Sequence, residues 1–549
     1  MTYLSPHVAG ATDWMTRQQG VAAWLVLALC VVACVPAGLR WLRVAQREHY
    51  LAGSGGRFAV RWWTATPVNS ALAVVAIASG VLAVWWPLAG AVTAAVVALG
   101  PLGLSLQGRT SALAWTRRLR TLVVAWAALE LVVIVIGAVT GLVALLAVVA
   151  ALAVPLLVDL ACLATAPVER RLAGRFVDQA TARLARVGPT VVAVTGSYGK
   201  TSTKGHIAHL VRGGRSVVAT PASFNNRAGL ARAINEHLAD GTEVFVAEMG
   251  TYGPGEIADL CRWCPPRVAV ITAIGPVHLE RFGTEDRTVE AKAEITELAD
   301  DVVLQVDDPR LATLAGRLSA AGKRVIRCSA VDRSADVCVL RHASEENDQS
   351  SAVTVVVDGE VVAEAVTVPI GVQPGNLACA IGVARVLGIT ADALRERLGD
   401  LPSVEHRLQA VPSPSGFSIL DDTYNANPAG AAEALRVLAT PRAGAPIEDV
   451  TQRAVVVTPG MVELGFRQRE ENHRLGAAIA GVATDLVVVG RTNRRALLAG
   501  VASADRPDQG RRCTVRCVAD RDEAVAWVRA NLGPGDVVLY ENDLPDHYP

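Results

Sequence analysis

The chain has 549 residues, of which 51% are hydrophobic, 19% charged and 5% aromatic, and its mean hydropathy of +0.34 is high for a soluble enzyme. Its 52 Lys and Arg residues balance 52 Asp and Glu residues, so it lacks the basic excess of nucleic-acid-binding proteins. Ten cysteines are too sparse for a disulfide-stapled fold. The length corresponds to about three or four average domains, and the hydropathy predicts that part of the chain lies in lipid.

Apolar sequence is concentrated before about residue 168. No charge occurs between Arg61 and Arg109, a stretch about twice the roughly 20 residues that one bilayer crossing needs. Breaks at Pro87 and near Thr140 divide the apolar runs. We therefore predict an α-helical transmembrane bundle of five helices, near residues 21–39, 68–86, 88–106, 121–139 and 142–163.

Arginines predict how these helices are oriented. They follow the first, third and last predicted spans, as Arg40, Arg43, Arg47, Arg57, Arg61, Arg109, Arg117, Arg118, Arg120, Arg170, Arg171 and Arg175. By the positive-inside rule the N-terminus lies outside, and the residues after 168 are cytoplasmic, in a multi-pass plasma-membrane protein. Glu130 and Asp159 interrupt the apolar runs. We interpret them as facing the bundle interior or the interface, the alternative being a lipid-substrate or proton site.

After Pro167, short β-rich runs alternate with helical stretches, which predicts βαβ units and a parallel sheet. The first set of strands is predicted at 190–196, 243–250, 267–275 and 301–308, with hairpins inserted at 336–370. The second set is predicted at 417–425, 453–461, 485–492 and 536–543. This pattern predicts domains at 1–168, 169–402 and 403–549.

The clearest motif is a glycine-containing loop between a strand and a helix. It contains Gly196, Ser197, Tyr198, Gly199, Lys200, Thr201 and Ser202. Such a loop exposes backbone N–H groups to phosphate, while Lys200 reaches the β- and γ-phosphates and the Thr201 hydroxyl ligates Mg²⁺. Only four lysines occur in the chain, at 200, 204, 292 and 323, which indicates positions where arginine cannot replace a compact amine, except at Lys323 on a predicted surface turn.

Two side chains follow neighbouring strands of the first set. Glu248 ends one strand, and His278 follows the next within GPVHLERFG. The carboxyl ends of parallel strands meet at one edge of a sheet, so both should converge on the phosphate loop. A carboxylate and an imidazole there predict a magnesium site.

Further stretches follow in order: AKAEI (291–295), GNLACAIGVARVLG, EHR (405–407) and LDDTYNANPAG. With TGSYGKTS, EMG and GPVHLERFG, they resemble the Mur ligases, and most closely the MurF-like ligases, over roughly residues 185–540. The resemblance implies a P-loop central domain and a Rossmann-like C-terminal domain. It also implies an ATP-dependent reaction in which a carboxylate is activated as an acyl phosphate and then joined to an amine.

The resemblance implies a role for each matching residue. The nucleotide site would include Asn376 on adenine, Asp422 on ribose, Tyr424, and Arg407 facing the phosphates across the cleft. The metal site would include Thr201, Glu248, His278 and Lys292, the last being similar to a lysine that several members carry as a carbamate. The substrate site would include Asn225, Asn226, Asn425 and Asn427.

Three departures from the family pattern concern substrate recognition. MurF-like ligases begin with a small UDP-binding domain, where this chain has apolar segments. Gly460 replaces the usual Asp before Met461, and the tail at 540–548 replaces a basic motif. The resemblance thus implies carboxylate and amine co-substrates without identifying them, and membrane anchoring favours a lipid- or polymer-linked carboxylate.

Alternatives to that reading stay open at this point. They are the MurF reaction, which joins D-Ala-D-Ala to a UDP-muramoyl tripeptide, poly-γ-glutamate-type synthesis, a transport ATPase, and a scaffold that binds ATP without catalysis. His278, Lys292 and Asp422 argue against a transporter, as does the missing ABC-type signature.

Overall fold

A computed structural model describes residues 16, 20–106, 113–221, 224–342, 350–404, 407–424, 427–439, 452–504, 513–544 and 548. The chain forms two compact units, which are described separately. The first comprises Met1–Leu172 with Pro545–Pro549, and the second comprises Ala173–Leu544. The break after Leu172 lies close to the domain boundary predicted at 168.

The described part of the first unit is helical. Its helices are α1 (Val21–Arg47), α2 (Ser54–Trp63), α3 (Pro67–Leu82), α4 (Gly90–Leu99, after a 3-10 turn at Pro87–Ala89), α5 (Arg117–Thr140) and α6 (Val143–Val187). Helix α6 continues into the second unit. The Val177, Ala180 and Leu184 side chains pack there in a core with Val191 of the first strand.

Among the described residues, α1, α5 and α6 are long and apolar enough to cross a membrane. Helices α2 and α3 meet at a 112° bend. Taken together as one broken span, this pair would be a fourth candidate. The predicted spans at 68–86 and 88–106 correspond to α3 and α4, which end at Leu82 and Leu99. The described helices therefore number three or four candidate spans rather than the five predicted, and membrane crossing stays a prediction.

Helix α1 is longer than predicted and ends at Arg47, so Arg40 and Arg43 lie on the helix rather than in a loop. The Arg40 guanidinium donates hydrogen bonds to the carbonyl oxygens of Ala98, Leu99, Gly100 and Leu104. Arg43 donates to the carbonyl oxygen of Ser105 at 2.9 Å. The last carbonyls of a helix lack partners within it, so these arginines satisfy the end of α4 and the turn after it.

Asp159 and Glu130 are both 7% exposed, and Asp159 has a clear structural role. Its carboxylate accepts hydrogen bonds from the N–H groups of Gly55 and Gly56, at 2.9 and 2.8 Å, at the N-terminus of α2. Glu130 accepts a hydrogen bond from the Trp126 indole N–H at 3.0 Å. The burial of both side chains agrees with the interpretation that they face the interior of the helical unit.

The second unit contains a nine-stranded sheet with the order β2-β3-β1-β4-β5-β6-β7-β8-β9. Its strands are β1 (Thr190–Thr195), β2 (Val217–Ala219), β3 (Val244–Glu248), β4 (Val268–Ile271), β5 (Asp301–Gln305), β6 (Arg324–Ser329), β7 (Val337–His342), β8 (Ser350–Val357) and β9 (Glu360–Pro369). In that order, all neighbouring strands from β2 to β7 are parallel, whereas β8 is antiparallel to both β7 and β9. The first predicted set and the hairpin region are confirmed, whereas β2 and β6 were not predicted.

A six-stranded sheet with the order β10-β11-β15-β12-β13-β14 forms the second lobe of this unit. Its strands are β10 (Gln409–Pro412), β11 (Ser418–Asp422), β12 (Ala454–Thr458), β13 (Asp485–Val489), β14 (Thr514–Val518) and β15 (Val537–Glu541). Only β10 is antiparallel to its neighbour. The second predicted set is confirmed, and β10 and β14 are additional.

Helices cover both faces of each sheet, so the parallel strands are buried on both sides. They are α7 (Lys200–Val211), α8 (Arg227–His237), α9 (Glu256–Trp263), α10 (Glu285–Ala293), α11 (Pro309–Ala320), α12 (Pro374–Val386), α13 (Ala391–Gly399), α14 (Pro428–Leu438), α15 (Gln468–Val482), α16 (Arg494–Ser503) and α17 (Arg521–Asn531). A short helix at Leu279–Phe282 precedes α10. We refer to the part around the nine-stranded sheet as the central lobe and to the part around the six-stranded sheet as the C-terminal lobe.

Candidate active site

The glycine loop joins β1 to α7, as predicted. Gly196 and Gly199 have φ values of 153° and 76°, a region that disfavours residues with a side chain. A Cβ at Gly196 would lie 2.0 Å from Thr272 Oγ1, and one at Gly199 would lie 2.1 Å from Asn376 Oδ1. Only glycine fits at these positions, and the contact places Asn376 of α12 directly against the loop.

The loop is attached to the segment that follows β4. The Ser197 N–H donates to the Ala273 carbonyl at 2.6 Å, and the Ser197 hydroxyl donates to the Gly275 carbonyl at 3.3 Å. The Tyr198 ring packs against Gly275, where a Cβ would lie 2.3 Å from the phenol oxygen. Burial raises the pKa of the Tyr198 phenol. Ser197 and Tyr198 therefore hold the loop in place, and Ser202 lies half-buried in the first turn of α7.

Lys200, predicted at the phosphates, and Lys292, predicted at the metal, are both buried and interact electrostatically. Lys200 donates from Nζ to the Gly196 carbonyl at 2.7 Å. Burial lowers the pKa of Lys200, with Glu248 acting in the opposite direction and Arg407 in the same one. The pKa of Lys292 is lowered well below its ordinary value by burial and then by the positive charge of Lys200.

Glu248, at the end of β3, is 1% exposed and is surrounded by donors. One of its oxygens, Oε2, accepts hydrogen bonds from the Thr201 hydroxyl at 3.1 Å and from Lys204 Nζ at 3.0 Å. The other, Oε1, accepts from Asn225 Nδ2 at 3.1 Å. The structure thus brings Thr201 and Glu248 together as predicted, and it adds Asn225, which was predicted for the substrate site, and Lys204, to which the sequence had assigned no role.

The Thr201 hydroxyl and the Glu248 carboxylate fit Mg²⁺, because both supply the oxygen ligands that this ion prefers. In the described part of the chain, no group of three or more His, Cys, Asp and Glu side chains could hold a metal ion. A Mg²⁺ ion here would take further ligands from phosphate oxygens and water, as is usual for this ion, and ligation by His278 and Lys292 stays a prediction.

His278 adopts a left-handed backbone conformation with a φ of 58°, immediately before the short helix. Its Nδ1 is hydrogen-bonded to Glu463 Oε2, which belongs to the C-terminal lobe. Its ring packs edge-on against Tyr252, with centroids 5.0 Å apart. His278 is therefore held between the two lobes, and Glu463 is a site residue that the sequence analysis missed.

Arg407 connects the two halves of the predicted nucleotide site. Burial lowers the pKa of its guanidinium, while the charges of Asp422 and Glu248 act in the opposite direction. A carboxylate of the C-terminal sheet and one of the central sheet thus both act on this arginine, which in turn acts on Lys200. These electrostatic interactions join charged groups of both lobes, and a nucleotide crevice between the lobes stays a prediction.

Several predicted residues have a structural role. Asp422 is fully buried, and its Oδ1 accepts a hydrogen bond from the Leu408 N–H at 2.9 Å, next to Arg407. Asn226 and Asn427 accept hydrogen bonds from backbone N–H groups at the starts of α8 and α14. Tyr424 is 66% exposed, and Asn425 lies outside the described residues. A ribose or substrate role for these residues stays a prediction.

The departure at Gly460 has a structural explanation. Gly460 has a φ of 77°, and a Cβ there would lie 2.3 Å from Asn472 Oδ1. Asn472, Asn493 and Asn542 donate to the carbonyl oxygens of the loop between Pro459 and Met461. The loop is thus held by asparagines in a conformation that has no room for the usual aspartate.

Two family descriptions match the chain: Mur ligase middle domain at residues 194–384, and Mur ligase, glutamate ligase domain at residues 406–540. The UDP-N-acetylmuramoyl-tripeptide–D-alanyl-D-alanine ligase of Mycobacterium tuberculosis is 33% identical over 405 residues, which are 70% of this chain and 74% of that protein. The chain belongs to the Mur ligase family. Like its relatives, this Mur ligase is an ATP-dependent acid–amino-acid ligase.

Solved structures agree with this assignment. MurF from Thermotoga maritima in complex with ADP has a TM-score of 0.55 and 27% identity to this Mur ligase, covering 68% of this chain and 80% of its own. MurF from Acinetobacter baumannii has a TM-score of 0.56 at 22% identity, covering 68% and 77%, a similarity that concerns the fold alone. The predicted α/β ligase fold is confirmed, and the ADP complex supports ATP as the nucleotide.

Proposed function

We propose that this protein is a membrane-anchored, MurF-like ligase of peptidoglycan assembly that activates a carboxylate as an acyl phosphate and joins it to an amine. The observation that carries the proposal is the cluster beside the glycine loop, where the Glu248 carboxylate accepts hydrogen bonds from the Thr201 hydroxyl, Lys204 and Asn225. The name of the mycobacterial relative supports a muramoyl tripeptide as the carboxylate and D-alanyl-D-alanine as the amine.

In the first step a carboxylate oxygen forms a bond to the γ-phosphorus, and the bond from that phosphorus to the ADP oxygen breaks. The loop N–H groups and Lys200 bind the phosphates, and Arg407 faces them from across the crevice. Cations placed around the transferred phosphoryl group stabilise its charge. The closed lobes exclude water, which would otherwise hydrolyse the acyl phosphate.

In the second step the amine nitrogen attacks the acyl carbon, phosphate leaves, and the amine loses a proton. Thr201 and Glu248 would hold Mg²⁺, which supplies charge neutralisation at the phosphate oxygens when it is bound. Asn225 would fix the Glu248 carboxylate through its hydrogen bond to Oε1. Asn376 would approach the nucleotide beside Gly199.

Lys292 is proposed to carry a carbamate. Its neutral amine would form a bond to the carbon of carbon dioxide and release one proton, which turns the side chain into an anion. Burial and then the positive charge of Lys200 disfavour the ammonium form of Lys292, and both lower its pKa. A neutral amine is the form that reacts with carbon dioxide, so this environment supports the modification.

Membrane anchoring is proposed for the first unit, with the N-terminus outside and the second unit in the cytoplasm. The length and apolar composition of α1, α5 and α6 support it, as do the arginines after residue 168. An anchored ligase would meet substrates at the membrane surface. This favours a lipid- or polymer-linked carboxylate over a soluble nucleotide-linked one.

The full chain in detergent would test the reaction. ADP release is measured with ATP, Mg²⁺ and D-alanyl-D-alanine, together with either the UDP-linked or a lipid-linked muramoyl tripeptide. We expect ADP release only when both carboxylate and amine are present, with faster turnover of the lipid-linked form. ATP hydrolysis that neither partner changes would contradict a ligase and favour a transport ATPase, and no hydrolysis with any pair would favour a scaffold.

A further inference from the structure

The segment after the asparagine-held loop reaches from the C-terminal lobe to the central lobe. Glu463 accepts a hydrogen bond from His278, and Arg467 donates to Glu285 at 2.8 Å. Between them, Gly465 lies so close to Leu279 that a Cβ at Gly465 would be 3.0 Å from the Leu279 Cβ. We call residues 463–467 the bridging segment.

The backbone of the bridging segment is shaped for this contact. Glu463 and Gly465 have φ values of 64° and 57°, and a left-handed conformation is unfavourable for a residue with a side chain such as Glu463. The preceding loop is held by Asn472, Asn493 and Asn542, so the direction in which the chain leaves β12 is determined by side chains of the same lobe.

We propose that Glu463 is a positioning residue for His278 at the metal and phosphate site. The proposal rests on the proposed function and on the prediction from the sequence that His278 is a ligand of the metal ion. A carboxylate on Nδ1 fixes the imidazole tautomer that carries a proton on Nδ1, so that the lone pair of Nε2 is available to a ligand.

The Glu463 carboxylate belongs to the C-terminal lobe, whereas His278 belongs to the central lobe, so their hydrogen bond depends on contact between the lobes. His278 acquires its orienting partner only when the bridging segment lies on the central lobe. The metal and phosphate site is therefore complete only with the lobes together, the arrangement that also excludes water from the acyl phosphate.

Tyr252 and Arg281 support the imidazole from the central lobe. The Tyr252 ring meets the His278 ring edge-on, and the Arg281 guanidinium lies 4.3 Å from the centre of the Tyr252 ring on its face. The ring plane is thus supported without Glu463, whereas the Nδ1 hydrogen bond depends on it. Removing Glu463 should therefore affect the tautomer more than the location of the ring.

The test uses the full chain in detergent with ADP and Mn²⁺ as the probe. Mn²⁺ affinity is titrated by electron paramagnetic resonance, and electron spin echo modulation detects nitrogen coupling from a coordinated imidazole. We expect Glu463→Ala to weaken Mn²⁺ binding about 10- to 100-fold, the usual effect of losing such a carboxylate, and to diminish the nitrogen signal. His278→Ala should abolish that signal, and Glu463→Gln should give an intermediate affinity.

Arg467→Ala is the matched control, because it removes the hydrogen bond from Arg467 to Glu285 and leaves the hydrogen bond between Glu463 and His278 in place. We expect it to leave Mn²⁺ affinity within about twofold of the wild type, with the nitrogen signal kept. Equal losses in Arg467→Ala and Glu463→Ala would overturn the proposal in favour of lobe contact alone. A Glu463→Ala variant with wild-type affinity and signal would also overturn it, and unfolding midpoints show whether each variant is folded.

Failure of the proposed function would look different. A wild-type protein that binds Mn²⁺ with ADP but shows no imidazole nitrogen overturns the role of Glu463, while ADP release with both substrates would still support the ligase. A wild-type protein without ADP-dependent Mn²⁺ binding and without two-substrate ADP release would remove both.

Discussion

Asp422 and Glu541 lie directly opposite each other on the adjacent parallel strands β11 and β15, and neither side chain is exposed to solvent. The pKa of Glu541 is raised well above its ordinary value, first by burial and then by the negative charge of Asp422. Two carboxyl groups in such a position cannot both ionise without a large cost, so the proton stays on Glu541.

This pair predicts a pH-dependent stability. The folded protein binds a proton at Glu541 that the unfolded chain releases above a pH of about 4.5, so Glu541 lowers the free energy of unfolding as pH rises from there. The loss amounts to at most about 1.4 kcal/mol per pH unit. We expect Glu541→Gln to raise the unfolding midpoint at pH 8 and to have little effect at pH 4, measured by thermal unfolding. A Glu541→Gln variant as stable as the wild type at both pH 4 and pH 8 would contradict the protonated state of Glu541.

Lys200→Ala should lower ATP turnover by at least about 100-fold, because the ammonium neutralises charge on the transferred phosphoryl group. Lys323→Ala is the control. Lys323 donates to the carbonyl oxygens of Glu297 and Ala299 at 2.9 and 2.8 Å, away from the loop, and its loss should leave turnover unchanged. Undiminished activity in Lys200→Ala would remove the phosphate-loop assignment.

Lys292→Ala should lose ligase activity, and acetate or another short carboxylate should partly restore it by replacing the carbamate anion. In the wild type, ¹³C-labelled bicarbonate should give a carbamate resonance that is missing from Lys292→Arg. The arginine variant keeps a positive charge, which carboxylates cannot replace, so we expect no rescue. Full activity of Lys292→Ala without added carboxylate would rule out the carbamate.

Gly460→Asp, which restores the usual family residue, should destabilise the C-terminal lobe. The left-handed conformation costs of order 1–3 kcal/mol for such a residue, and the new side chain meets Asn472. Gly481→Ala is the control, since a Cβ at Gly481 of α15 meets nothing within 4 Å, and alanine favours a helix. We expect a lower unfolding midpoint for the first variant and an equal or higher one for the second. A Gly460→Asp protein as stable as the wild type would show that the asparagines can move.

The predicted and observed helices of the first unit differ for a physical reason. Hydropathy locates an apolar stretch but does not determine where a helix ends, and α1 continues to Arg47 because Arg40 and Arg43 find carbonyl partners at the end of α4 and in the turn after it. The described part of the apolar stretch between Arg61 and Arg109 contains α3 and α4, which are shorter than the two full spans predicted there. Asp159 likewise stays in an apolar helix because it meets the N–H groups of Gly55 and Gly56.

The amino-acid sequence by itself determined the alternation of strands and helices in the ligase part, the glycine loop before Lys200, and the pairing of Thr201 with Glu248. These features follow from side-chain periodicity and from glycine, which act over a few residues, and from the rule that parallel strands end at one edge. Only the tertiary structure decided that Glu463 reaches His278, 185 residues away, and that Glu541 lies beside Asp422. Such partners depend on the order of strands in a sheet and on the contact between lobes, which no local pattern encodes.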